Sequence, residues 1–212
     1  IVNRTPDSFY DKGATFAIEK ALLRVDDAVS AGASIIDIGG VKAGPGDDVS
    51  VAEEIDRVVP LIAGVRERHP DVTVSVDTWR AAVAEEAIAA GADLINDTWA
   101  GFDPELVEVA GQHRVGYVCS HTGGIPPRTR PHRVHYYDVV ADVIAETTAL
   151  AERAASLKSD VLVTYGEKPG DLETFQDDPL VGRIPALASG HVFLTTDQTD
   201  ALRWVALVDR LY

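Results

Sequence analysis

Residues 71–97 read DVTVSVDTWRAAVAEEAIAAGADLIND and show the pattern that decides the fold. A short β-branched run ends in Asp77 and Thr78, an Ala- and Glu-rich helical pattern follows, and a second apolar run closes the stretch. Gly91, just before that second run, suits a helix C-cap. A strand, a polar turn, a helix and another strand in this order form the sequence pattern of a parallel βα unit.

The same unit recurs along most of the chain. Short β-branched runs, typical of strands covered on both faces, predict strands at residues 1–2, 34–38, 72–76, 93–96, 115–119, 160–164 and 191–195. Apolar residues three or four apart predict helices at residues 17–31, 51–68, 79–90, 104–113, 136–157 and 197–211. We therefore predict an α/β fold of parallel βα repeats, TIM-barrel-like. Seven strands do not complete an eight-stranded barrel, so either one strand escapes this count, or the barrel closes incompletely, or the sheet is open and doubly wound.

Composition narrows the choice of partners and compartment. The 212 residues include 34 acidic and 19 basic ones, giving a formal net charge of -15, with 1 cysteine and no methionine. Nucleic acids and anionic membranes require a cationic face, so we expect neither as a partner. One cysteine cannot form an internal disulfide and no long apolar run is present, so we expect a cytoplasmic protein. The lack of any methionine leads us to expect residues before Ile1, and the oligomeric state is left open.

Polar residues stand where the predicted strands end. Ligands of parallel α/β folds bind beyond the carboxyl ends of the strands, because loops and helix N-termini meet there. Five such ends carry Asn3, residues 37–40, Asp77, Asn96 and His121. Together they predict a pocket rich in carboxylate and amide groups. Taken singly, the Asp77 and Asn96 positions also suit helix caps, and His121 also suits a structural role.

Several of these segments resemble the dihydropteroate synthase family in order and spacing. They are residues 3–9 (NRTPDSF), 37–40 (DIGG), 75–78 (SVDT), 95–97 (IND) and His121, and the resemblance covers about residues 1–157. It implies a (β/α)8 barrel that joins dihydropterin pyrophosphate to p-aminobenzoate with the help of Mg²⁺. It also implies that Asp77 and Asn96 hold the pterin, that Asn3 lies near the pyrophosphate and its metal, and that His121 lines the pocket. Carboxylate and amide groups suit the ring nitrogens of a pterin, and an oxygen ligand suits a hard cation.

The second loop departs from the family pattern. Residues 39–46 read GGVKAGPG, whereas the family usually has GGESTRPG, so the hydroxyls and the arginine are missing. Lys42 supplies a cation but not the bidentate fork of an arginine. Arg4 replaces the family's usual valine and adds a charge beside the expected phosphate site, unless it is simply a solvated loop residue. The second substrate is therefore left open.

The last quarter of the chain departs further. The family's F-G-K, N-K and R-x-H segments do not occur after Leu157. Residues 158–212 resemble instead the C-terminal lobe of iron-siderophore periplasmic binding proteins. We therefore expect two parts on one sheet, dihydropteroate-synthase-like βα units over residues 1–157 and a binding-protein-like βα segment over 158–212. Such a hybrid implies either an engineered recombination or a natural fusion.

The functional prediction follows from the family motifs that are present and those that are missing. We expect a hybrid α/β scaffold with a partial pterin or pyrophosphate pocket and little or no turnover, because the strand-end lysine and arginine are missing. Two alternatives stay open: an active transferase of the dihydropteroate synthase type, and a structural chimera without a ligand. Whether the chain is an enzyme is thus undecided by its sequence.

Overall fold

Seven parallel strands in chain order form the centre of the molecule. The computed structural model describes residues 1–4, 14–42, 44–129, 135–157, 161–164 and 192–195. The strands are β1 Val2–Asn3, β2 Ile35–Gly39, β3 Thr73–Asp77, β4 Leu94–Asp97, β5 Gly116–Cys119, β6 Val161–Thr164 and β7 Val192–Thr195. Each pairs in parallel with the next, so the sheet runs from β1 to β7 within the described residues. The predicted α/β fold of parallel βα repeats is confirmed.

Helices connect the first six strands. In the described part of the chain they are α1 Ala14–Ser30, α2 Val51–Arg68, α3 Ala81–Ala89, α4 Leu106–His113 and α5 Val139–Ser156. The predicted bounds of α2 are confirmed, and the other four helices begin and end within three residues of their predicted bounds. The helix predicted over residues 197–211 lies outside the described residues. None of the helices described here is both long and apolar enough to cross a bilayer.

Four strands extend one residue beyond their predicted ends. Their last residues are Asn3, Gly39, Asp77 and Asp97. The prediction followed apolar runs, whereas strand pairing depends on backbone hydrogen bonds that polar residues and glycine make equally well. The polar strand ends are therefore part of the sheet itself, which fixes their side chains more firmly than a loop would.

Left-handed glycines follow two helices. Gly32 follows α1 with a φ of +99°, and Gly91 follows α3 with a φ of +113°. A left-handed residue after a helix satisfies its last carbonyl groups, and glycine adopts that conformation without a steric penalty. The C-cap of α3 is Ala90, and Gly91 is the left-handed residue directly after it, so the glycine predicted to end this helix does so one position later.

The two faces of the sheet differ in polarity. Ile36, Ile38, Val74 and Val76 are buried in a hydrophobic cluster shared with the helices. Successive residues of a strand point to opposite faces, so the residues between them point away from that helical layer. Those alternate positions carry Asp37, Gly39, Ser75 and Asp77. The helix-packed face thus stabilises the fold, while the opposite face carries the polar groups.

A close approach joins α4 to the end of α5. A Cβ placed at Gly111 would lie 2.5 Å from the Cβ and 2.9 Å from the carbonyl oxygen of Leu157. Only a residue without a side chain allows α4 to reach this backbone, so Gly111 sets the spacing of the two helices.

Replacing Gly111 with alanine tests this contact. At an exposed helix position, replacing glycine with alanine usually raises the free energy of unfolding by about 1 kcal/mol. Here the added methyl group would overpack against Leu157, so we expect the free energy of unfolding to fall by about 1–3 kcal/mol instead. Urea unfolding measures the free energy, with Gln112→Ala at an exposed position of α4 as the control. Equal or greater stability of Gly111→Ala relative to Gln112→Ala would contradict the contact.

Candidate functional site

Strand register aligns four residues at the carboxyl ends of β1 to β4. Asn3 pairs with Gly39, Gly39 pairs with Asp77, and Asp77 pairs with Asn96. Residues paired across parallel strands lie on the same face of the sheet. A Cβ placed at Gly39 would lie 3.1 Å from Asn3 Oδ1 and 3.3 Å from Asp77 Oδ2. The missing side chain of Gly39 therefore leaves a gap bordered by an amide oxygen and a carboxyl oxygen.

Asp37 adds a second carboxyl group to this face. Its Oδ1 accepts a hydrogen bond of 2.7 Å from Ser75 Oγ, and Asn96 Nδ2 lies 3.4 Å from the same oxygen. Thr98 Oγ1 donates to Asp77 Oδ1 over 3.2 Å. We call Asn3, Asp37, Asp77 and Asn96 the rim cluster.

The rim cluster holds its carboxyl groups in unfavourable surroundings. Burial raises the pKa of Asp37, against the hydrogen bonds from Ser75 and Asn96. Burial and then the negative charge of Asp37 raise the pKa of Asp77 to about 8, although Thr98 opposes the shift. Asp77 therefore keeps its proton at neutral pH, and a ligand with N–H groups would stabilise the ionised form.

A buried glutamate of α2 fixes the loop after β3. Glu54 is fully buried and accepts hydrogen bonds from Thr78 Oγ1 over 2.7 Å and from Arg80 Nη1 over 2.6 Å. Burial raises the pKa of Glu54, and the bonds from Thr78 and the charge of Arg80 oppose that shift. These contacts connect α2 to the residues that directly follow Asp77.

Asp77 is not a helix cap. The N-cap of α3 is Arg80, and the backbone N–H of Ala81 donates to Asp103 Oδ2 over 2.8 Å. The carboxyl group of Asp77 instead accepts from Thr98. Of the pair Asp77 and Thr78, for which a capping role was the alternative, Asp77 therefore makes no cap, whereas Thr78 Oγ1 accepts from the backbone N–H of Arg80 over 3.2 Å.

Asp97, in contrast, has a structural role. Its carboxylate accepts from the backbone N–H of Trp99 over 2.9 Å, from that of Gly101 over 2.6 Å and from Tyr117 Oη over 2.6 Å. These bonds hold the loop after β4. Of the neighbouring pair Asn96 and Asp97, only Asn96 belongs to the rim cluster.

The predicted cations lie beside the strand ends. The backbone N–H of Arg4 donates to the carbonyl of Gly39 over 2.7 Å, so Arg4 directly follows the rim cluster. Its side chain is half-buried, and Nη1 is buried without a hydrogen-bond partner among the described residues. Burial, followed by the charge of Arg57, lowers the pKa of Arg4. Lys42 is exposed in the loop after β2.

His121 follows β5 but contacts α5. Its Nε2 lies 2.7 Å from Asp142 Oδ2 and 3.5 Å from Glu146 Oε2, and its ring centroid lies 5.6 Å from that of Tyr136. Within the described residues its hydrogen bonds and ion pairs all go to α5. The structure therefore brings Asn3, Asp77 and Asn96 together, whereas the hydrogen bond and ion pairs of His121 go to α5.

Glu54 is not among the predicted site residues, and Asp37 is predicted only as part of the polar strand end at residues 37–40. Asp37 lies between two buried isoleucines of β2, and this alternation indicates that its carboxylate lies on the face of the sheet opposite the helices. Glu54 lies on the stripe of α2 that carries Val58, Leu61 and Val65, all buried. An acidic residue within an apolar stripe indicates a buried carboxylate. The sequence does not indicate which residue pairs with it.

The fold and the rim cluster define a class of protein. Parallel βα repeats with carboxylate and amide groups at the strand ends are typical of α/β proteins that bind small molecules at that rim. The profile of the family described as "Pterin binding enzyme" matches residues 1–162. The chain belongs to this family.

Individual relatives agree with this assignment. "Inactive dihydropteroate synthase 2" of Mycobacterium tuberculosis is 59% identical over 160 residues, which are 74% of this chain and 50% of that protein. Dihydropteroate synthase of Bacillus subtilis is 36% identical over 213 residues, 98% of this chain and 71% of that protein. The structure of the Xanthomonas albilineans synthase in complex with 7,8-dihydropteroate matches with a TM-score of 0.63 and 25% identity, over 98% of this chain and 91% of that one.

These matches confirm one resemblance and not the other. The resemblance to dihydropteroate synthase is confirmed, and this chain spans about half the length of the mycobacterial relatives. The resemblance of residues 158–212 to siderophore-binding proteins finds no support, since the Bacillus alignment extends over 98% of the chain. Apart from residues 161–164 and 192–195, that segment lies outside the described residues.

The raised pKa of Asp77 predicts a pH-dependent stability. The folded protein keeps this proton up to about pH 8, whereas the unfolded chain loses it near 3.8. The free energy of unfolding should therefore fall as the pH rises between these values, by roughly 1.4 kcal/mol per pH unit from this group, and level off above pH 8. Asp77→Asn should remove that contribution, so the free energy of unfolding of the variant should rise relative to that of the wild type as the pH increases.

Urea unfolding at several pH values between 4 and 9 measures this slope. Asp71→Asn, which changes an exposed carboxylate, is the matched control and should keep the wild-type slope. An unchanged slope in Asp77→Asn would show that Asp77 is ionised in the folded protein throughout this range.

Proposed function

We propose that the rim cluster binds a pterin and that the chain turns it over little or not at all. The observation that carries this proposal is the in-register row of Asn3, Gly39, Asp77 and Asn96. A pterin presents N–H donors and ring nitrogens along one edge, and neighbouring carboxyl and amide side chains can pair with such an edge. The Xanthomonas neighbour, which holds 7,8-dihydropteroate, has the same fold.

The protonation state of Asp77 suits this ligand. A pterin N–H donated to the carboxyl group would stabilise its ionised form and lower the raised pKa. Binding near neutral pH would then release the proton of Asp77. The ligand would thereby compensate for the cost of holding Asp37 and Asp77 in one partly buried cluster.

Asn3 is the proposed ligand of Mg²⁺. Its amide oxygen borders the gap over Gly39, opposite an oxygen of Asp77, and oxygen donors fit a hard cation. Mg²⁺ keeps water molecules and takes phosphate oxygens from its substrate, so one or two protein ligands suffice. When bound, the ion would neutralise charge on a pyrophosphate group, and Arg4, next to Asn3, would add a second cation. His121 and Lys42 are also proposed pocket residues. The structure gives His121 less support than Asn3, because its contacts go to α5.

Low turnover follows from missing cations. Loss of pyrophosphate requires positive groups aimed at the leaving oxygens. The loop at residues 39–46 lacks the family's arginine, and no F-G-K or R-x-H segment follows Leu157. The mycobacterial relatives, which carry the word "Inactive" in their name, are consistent with this proposal.

Residues 158–212 are proposed to complete the sheet without adding site residues. The pairing of β6 with β5 and of β7 with β6 supports a segment packed onto the same sheet as residues 1–157. A separate origin of this segment, engineered or natural, stays a proposal without support from the relatives found.

Calorimetry with a dihydropterin tests the binding proposal. We expect one site per chain with micromolar affinity, weakened at least tenfold in Asn96→Ala because one hydrogen-bonding group is lost in a partly buried site. Gln112→Ala, which removes an exposed amide, should bind like the wild type. Absence of binding by the wild-type chain would favour the alternative of a structural scaffold without a ligand.

A product assay tests the second half of the proposal. With dihydropterin pyrophosphate, p-aminobenzoate and Mg²⁺, we expect product at least 100-fold more slowly than from the Bacillus subtilis enzyme assayed in parallel. A comparable rate that Asp77→Ala abolishes would establish the alternative of an active transferase and contradict the proposal.

A further inference from the structure

A second polar cluster, which shares no residue with the rim cluster, lies where the loop after β5 meets α5. It consists of His121, Asp142 and Glu146, and one ligand atom of each lies within 4.8 Å of the others. Asp142 and Glu146 are four residues apart on α5, so their side chains lie on one face of the helix. The N-cap Asp138, whose side chain accepts from the backbone N–H of Ala141 over 3.0 Å, fixes the first turn that carries Asp142.

The spacing of these groups is that of metal ligands. His121 Nε2 lies 2.7 Å from Asp142 Oδ2 and 3.5 Å from Glu146 Oε2. Ligand atoms around a tetrahedral Zn²⁺, at ~2.1 Å from the ion, stand roughly 3.4 Å apart. The His121–Glu146 separation is close to this value, the His121–Asp142 pair would have to open slightly, and the Asp142 and Glu146 oxygens lie within 4.8 Å of each other.

One oxygen of this cluster lacks a partner. Glu146 Oε2 is buried and accepts no hydrogen bond from any residue that the structure describes. A buried carboxylate oxygen without a hydrogen bond is costly, and a nearby cation removes that cost. His121 has only one Nε2 for two carboxylates, and its hydrogen bond goes to Asp142. Glu146 Oε2 is therefore left with an ion-pair contact of 3.5 Å to His121 Nε2, longer than the 2.7 Å of Asp142, in a side chain that is 31% exposed.

We propose that His121, Asp142 and Glu146 bind a divalent transition-metal ion of the Zn²⁺ class. Two carboxylates balance the double charge, and an imidazole nitrogen with oxygen ligands suits such an ion better than Mg²⁺ or Ca²⁺. The ion takes the place of a proton on His121 Nε2 and supplies the missing partner of Glu146 Oε2. It fastens the loop after β5 to α5. None of its three residues belongs to the rim cluster, and His121 is the one residue of the three that is also a proposed pocket residue, so the two sites are tested separately.

Zinc titration of the full chain tests the proposal. After dialysis against a chelator, competition with a chromophoric zinc indicator should reveal one Zn²⁺ per chain with a dissociation constant of micromolar or below. Glu146→Gln, which keeps the shape of the side chain, should weaken binding at least tenfold. Glu152→Gln, at an exposed position of the same helix, should bind as the wild type does.

Two further measurements separate this site from others. Co²⁺ in place of Zn²⁺ should give visible absorption bands of a four- or five-coordinate ion, and these bands should be lost in Asp142→Asn. Asn3→Ala should leave Zn²⁺ affinity unchanged, and circular dichroism checks that every variant folds. Affinity weaker than about 100 μM, equal affinity of Glu146→Gln and Glu152→Gln, or loss of binding in Asn3→Ala alone would overturn the proposal. In each of those cases His121 serves only as the ion-pair partner of α5.

Discussion

The register of four neighbouring parallel strands is the constraint on which the rest of the site depends. It places Asn3, Asp77 and Asn96 in one row, with Gly39 between the first two, and Asp37 joins them from the same face. A shift of one residue in any strand would turn its polar group toward the helix-packed face, where no water or partner could satisfy it. The hydrophobic alternation of β2 and β3 therefore fixes the core and the position of the carboxyl groups at once.

This arrangement costs stability that a ligand can restore. Carboxyl groups gathered in buried surroundings hold raised pKa values, as Asp37 and Asp77 do. Buried ionisable groups with perturbed pKa values are typical of functional sites, because the same burial that destabilises the empty protein strengthens the contacts with a ligand. Asp97 and Glu54 also have raised pKa values, and they accept hydrogen bonds from Tyr117 and Thr78 that fix neighbouring loops. Asp37 and Asp77 accept hydrogen bonds as well, but they lie together at the strand ends, where the charge of Asp37 raises the pKa of Asp77.

Much of the fold could be predicted from the sequence because it depends on local patterns. β-Branched runs located all seven strands, and helical periodicity located α2 to the residue. The last residue of each rim strand was missed, since apolar runs do not record backbone pairing. The site was predicted in part: Asp77, Asn96 and the strand end at residues 37–40 follow from their positions after apolar runs. The contacts of Asp37 and the role of Glu54 could not be predicted, because they join segments that are distant in the chain. The partners of His121 on α5 could not be predicted either, because 21 residues of chain separate it from Asp142.

The central claim is that the strands force carboxyl groups together at one rim in the empty protein, and the protonation of Asp77 reports this directly. Carbon-13 NMR of aspartate-labelled protein follows each carboxyl group through a pH titration. We predict one aspartate signal that titrates near pH 8 and disappears when Asp77 is replaced. A titration in which the Asp77 carboxyl carbon shifts below about pH 5, as an ordinary solvated aspartate does, would contradict it.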